Sequence, residues 1–136
     1  MASDISPMKA AMSDDGGDSI EEQIQAHYQK FQREPGIPRH ALAIGNLYEK
    51  RKEYANAVPW FQHAFDVGGQ VDVSLERRIL DLCIQAGKDE IADLQAAVDA
   101  EKTPAGKVDY QKAMDKKLDE LNRLLKVRKL RRFGVD

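Results

Sequence analysis

The chain has 136 residues and a formal net charge of −2, with 32% charged and only 7% aromatic side chains. That leaves room for one small domain or a short repeat array, with a modest core rather than a large one. The one cysteine, Cys83, excludes an internal disulfide and a cysteine-based zinc site, and no apolar run approaches the ~20 residues of a membrane span.

Residues 1–18 read as a flexible tail of Ser, Asp, Gly and Met without period, ending in Asp14, Asp15, Gly16, Gly17 and Asp18. They hold no apolar signal core, which predicts a cytoplasmic chain. Ser19, with Glu22 three residues on, forms a capping box. Ile20, Ile24, Tyr28 and Phe31 follow at spacings of four, four and three, so they share one helical face. Pro35, Gly36 and Pro38 end that helix. The next helix is predicted over residues 38–51 and is followed by a polar turn. Its successor covers residues 54–67 and is closed by Gly68 and Gly69. Pro59 falls past the first turn of this helix, where a missing N–H has a cost, and predicts a late start or a slight bend.

Residues 72–102 read as a second hairpin. Asp72 or Ser74 can cap a helix carrying Leu75, Ile79, Leu80, Leu82 and Cys83, and Gly87 closes it. A further helix over residues 89–101 carries Ile91, Leu94, Ala97 and Val98. Thr103 and Pro104 then open a long helix, a capping hydroxyl followed by Pro at the first helical position. No Gly or Pro interrupts residues 107–133. Met114, Leu118, Leu121 and Leu125 form an apolar stripe there, widened by Val108, Leu124, Leu130 and Phe133. Residues 107–136 carry ten Lys/Arg against five Asp/Glu, whereas residues 1–106 carry eleven against eighteen. A basic end on an acidic body attracts an acidic partner or a second copy.

No catalytic constellation is legible. His27, His40 and His63 have neither the helical spacing of a metal pair nor an intervening acid, and read as structural or surface histidines. Cys83 sits in an apolar run and reads as an inert thiol. The chain is therefore expected to be non-enzymatic, without metal or cofactor. Lys126, Arg128, Lys129, Arg131 and Arg132 could meet nucleic acid or an anionic surface. No aromatic platform interleaves them, and a helix C-terminus favours cations in any case.

Residues 38–71 carry a spaced pattern: Ile44, Gly45, Tyr48, Ala57 and Phe61, with Ala64 three residues further on. This stretch resembles one tetratricopeptide repeat, a helix-turn-helix unit of about 34 residues. The opening Trp of the family pattern is Ala41 here, and the closing Pro is Gly69. Ile79, Cys83 and Ala92 continue the match into residues 72–102, while Leu80 and Ala96 break it. Residues 19–35 resemble a half-repeat. The resemblance implies a short solenoid: half-repeat 19–35, repeat 38–71, degenerate repeat 72–102, then a long helix over 103–136. It also implies a concave groove on the first helices, at Arg39, Leu42, Asn46, Glu49 and Lys50, continued by Arg77 and Asp81. Family members that clamp a peptide's terminal carboxylate also carry Asn at the place of Asn46. The accompanying Lys is Leu42 here, which argues against that ligand.

The expectation is thus an all-α, repeat-like chain acting as a protein-interaction scaffold or adaptor for a protein or peptide. The alternatives are an oligomerisation module pairing through Leu121, Leu125, Leu130 and Phe133, or a basic-helix binder of nucleic acid. The chain could also be part of a longer repeat array.

Overall fold

The computed structural model describes residues 19–132; the expected tail over 1–18 and Phe133 lie outside the described residues. Among the described residues there are five helices and no strand: α1 (Ile20–Arg33), α2 (Pro38–Lys50), α3 (Tyr54–Val67), α4 (Val73–Ala100) and α5 (Pro104–Arg132). The all-α expectation holds. The chain divides into two compact units, one through Ile79 and one from Leu80 onward, so the division falls inside α4.

In the first unit the helix ends follow local chemistry. The Ser19 hydroxyl accepts from the Glu22 N–H at 3.1 Å, and the Glu22 carboxylate accepts from the Ser19 N–H at 3.0 Å. Two otherwise orphaned donors are thereby satisfied. Glu21 and Glu22 lie at the positive end of α1, and Lys30 and Arg33 at its negative end. Pro38 opens α2 at a position that needs no N–H. Gly68 caps α3, and Gly69 takes the positive φ of 90° that the exit requires. The expected late start of α3 is corrected, because the helix begins at Tyr54 and runs through Pro59. Pro59 removes the donor for the Ala55 carbonyl, but both residues are exposed, so water can replace it.

The core of this unit lies between α2 and α3. Ala41, Ile44, Gly45, Leu47 and Tyr48 are buried on α2, and Ala57, Trp60, Phe61 and Ala64 on α3. Gly45 and Phe61 set the helix separation: a Cβ on Gly45 would lie 3.0 Å from the Phe61 ring. α1 joins through aromatic side chains. Trp60 meets Phe31 edge-on at 4.9 Å and Tyr28 at 6.1 Å between centroids, and Phe31 meets His63 at 5.1 Å. Burying the Trp60 indole N–H without a hydrogen-bond partner has a cost. The three edge-on ring contacts, two of them made by Trp60 itself, work against it. Arg51, in the turn after α2, pairs with Glu21 at 3.0 Å and so ties that turn to α1.

The expected hairpin over 72–102 is corrected to a single helix, which begins in the first unit and continues into the second. α4 is 28 residues long and passes through Gly87 without a break. One interior Gly costs about 1 kcal/mol relative to Ala, too little to end a helix that strong formers continue on both sides. Asp72 does cap its start, accepting from the Leu75 N–H at 3.1 Å. α5 opens as the sequence suggests, with the Thr103 hydroxyl accepting from the Gly106 N–H at 3.0 Å.

The two helices run antiparallel: Glu90 meets Lys117 at 3.1 Å, Gly87 lies beneath Leu121, and Asp81 meets Arg128 at 3.3 Å. On α4, Leu80, Ile84, Gly87, Ile91, Leu94 and Val98 are buried or half-buried at alternating spacings of four and three. On α5, Met114, Lys117, Leu121, Leu124 and Arg128 repeat the pattern. This is the seam of an antiparallel coiled coil. A Cβ on Gly87 would stand 3.7 Å from the Leu121 side chain, an ordinary contact. Gly87→Ala is therefore expected to stabilise the hairpin by about 0.5–1 kcal/mol. A rise in its thermal midpoint by circular dichroism is the expected result, and a fall would show that the seam has no room there.

Candidate partner-binding site

Five of the predicted groove residues, Arg39, Leu42, Asn46, Glu49 and Lys50, share α2 but not one fate. Asn46 is exposed and Glu49 half-buried, and both are held by Arg78, which no sequence pattern singled out. The Arg78 guanidinium donates to Asn46 Oδ1 at 2.6 Å and to the Glu49 carboxylate, and lies 4.5 Å from the centroid of the Phe61 ring. It covers the ring with its flat face while its edge donors bind α2. Leu42 is half-buried, and Lys50 and Arg77 are exposed. Asp81 belongs to the second unit and pairs with Arg128.

Arg39 lines a different feature, a cleft of about 720 Å³ shared by α1 and α2. Its walls are His27, Lys30, Arg33 and Glu34 from α1 and its exit, and Arg39, His40 and Ala43 from α2. His40 is only 5% exposed and lies 2.8 Å from the Glu34 carboxylate. An ionised carboxylate can only accept, so His40 Nε2 carries the proton. The same logic makes His63 Nε2 the donor to the Pro35 carbonyl at 2.8 Å, which fixes the loop at the cleft's end. The hydrogen bond from His40, then its charge and those of Arg39 and Arg33, hold the Glu34 carboxyl below the ordinary carboxylate range. Burial first, then Lys30 and His40, push the His27 imidazole below its ordinary value. Its neutral form is thus favoured near pH 7.

Lys30, Arg33 and Arg39 make no hydrogen bond or ion pair among the described residues. The sequence pattern singled out Arg39 but neither Lys30 nor Arg33. Their convergence with Arg39 depends on the tight 34–37 connection, which turns α2 back beside α1.

The self-association candidates divide similarly. Leu121 is buried within its own unit, Leu125 is half-buried and Leu130 is 43% exposed. Cys83 is half-buried, and burial pushes its thiol above the ordinary range, which disfavours the reactive thiolate. Among the described residues no group of three or more His, Cys, Asp or Glu could hold a metal ion, and no helix is long and apolar enough to cross a membrane. No family model matches the chain, and no curated protein or solved structure matches it either.

Proposed function

We propose that the chain is a non-enzymatic protein-interaction adaptor whose α2–α3 hairpin acts as a tetratricopeptide-like repeat. The observation that carries this reading is the seat of Phe61 on Gly45, with Ala41, Ile44, Tyr48, Ala57 and Ala64 buried around it. These residues stand at the small and aromatic positions of the repeat pattern, and such hairpins present their first helix to partners. Arg78 supports the reading by fixing Asn46 and Glu49 on α2 as a preset polar surface. Self-association through α5 is the weaker reading, because the hairpin already covers Leu121.

Selection of a random displayed-peptide library against the whole chain tests the adaptor reading. Peptides should enrich whose binding drops at least roughly tenfold, about 1.4 kcal/mol, with Leu42→Arg and is unchanged by Leu130→Asp. No enrichment, or binding indifferent to Leu42→Arg, would overturn the proposal.

A further inference from the structure

The cleft between α1 and α2 combines three features. It carries three cationic side chains, Lys30, Arg33 and Arg39, that make no hydrogen bond or ion pair among the described residues, on a chain whose net charge is −2. Its one carboxylate, Glu34, is already engaged by the nearly buried His40. Its volume, about 720 Å³, falls in the range of about 300–1,000 Å³ usual for ligand clefts. A single small oxyanion would leave most of that space unfilled. Lys30 and Arg33 stand one helical turn apart, and Arg39 faces them from the other helix. Several separated negative charges on one chain segment match that layout better than one concentrated charge.

We propose that this cleft binds an acidic peptide segment, with its Asp or Glu carboxylates set against Lys30, Arg33 and Arg39. The proposal deepens the adaptor reading by giving the partner's chemistry, and the cleft walls include Arg39 but neither Leu42 nor Asn46. The groups facing the cleft also give it a pH signature. They are His27, Lys30, Arg33 and Glu34 on the α1 side and Arg39 and His40 on α2, with His63 of α3 held by the Pro35 carbonyl. His27 is kept neutral by burial and by Lys30 and His40. A bound carboxylate offsets the repulsion from Lys30 and favours the imidazolium, so binding takes up a proton. Affinity therefore rises as pH falls through the His27 range, while Glu carboxylates, with pKa near 4.3, stay ionised.

The test uses a fluorescein-labelled hexaglutamate peptide and the full chain, followed by anisotropy at an ionic strength of about 0.05 M. Hexaglutamate should bind and hexaglutamine should not. Arg33→Ala combined with Arg39→Ala should weaken binding at least roughly tenfold. Lys126→Ala combined with Lys129→Ala, which lowers the net charge equally on α5, should leave it unchanged. Binding should tighten as pH falls from about 7 to about 5.5, since free His27 titrates below its ordinary value, and His27→Gln should abolish that tightening. Equal loss from the α5 pair would reveal non-specific charge attraction and overturn the proposal, as would absence of binding or a pH response that survives His27→Gln. Circular dichroism of each variant separates lost binding from lost fold. If library peptides bind through Leu42 while hexaglutamate does not bind, only the cleft fails. The reverse pattern overturns the groove and leaves the cleft standing.

Discussion

Phe61→Ala will destabilise the first unit by about 3–5 kcal/mol, the cost of removing a fully buried aromatic ring. The ring is 0% exposed, with Gly45 against one region of it and the Arg78 guanidinium over it. Its loss removes transfer energy, opens a cavity and strips Arg78 of the surface on which it lies. Trp60 is the chain's one tryptophan and is 1% exposed. Its fluorescence therefore follows this unit directly in a urea titration. A loss below about 0.5 kcal/mol would mean that the ring is not core, and the repeat reading of α2–α3 would fall with it.

Gly45→Leu is the second large effect, and its sign follows from distance. A Cβ alone would stand 3.0 Å from the Phe61 ring, so the γ and δ carbons of leucine can enter only by moving α2 from α3 or the ring from its seat. Overpacking of this kind costs about 1–3 kcal/mol. The sequence offers one objection: aligned as a repeat, Leu80 stands where Gly45 does. The objection lapses because residues 72–102 hold the uninterrupted α4 rather than a second repeat, so Leu80 is not the counterpart of Gly45. The double variant Gly45→Leu with Phe61→Ala gives the sharper test. The larger residue then enters the space that the ring vacates, so the two losses should fall short of additivity by about 0.5–3 kcal/mol. A neutral Gly45→Leu, or strict additivity of the pair, would show that the two residues do not share that space.

How far the fold was legible depended on whether a signal was local. Ser19 and Glu22, Pro38, Asp72, and Thr103 with Pro104 act through bonds to residues a few positions away, and each marks a real helix start. Gly68 and Gly69 mark a real end. Gly87 carries the same residue type but not the same setting. It lies mid-helix, where only a modest propensity cost opposes continuation, and Leu121 packs above it. The alternating four–three spacing from Leu80 to Val98 was present in the sequence, and reading the segment as a second repeat masked it. The burial of Trp60 and the reach of Arg78 to Asn46 and Glu49 depend on which helices become neighbours, which no local rule encodes. The candidate site was the least legible part. Of the cleft's cations only Arg39 stood among the expected groove positions, since Lys30 and Arg33 acquire their significance from the turn at 34–37.

The short connections have a kinetic consequence. Three residues separate α2 from α3, and three separate α4 from α5, so each hairpin's contacts can form by closing a small loop. Chains dominated by such nearby contacts fold in microseconds to milliseconds, because little loop entropy is lost before packing begins. Synthesis proceeds at about 5–20 residues per second. The Gly45–Phe61 contact can therefore form as soon as α3 clears the ribosome, seconds before the last residues of α5 have been added. A newly made chain would then already hold its cationic cleft while its long hairpin is still being completed.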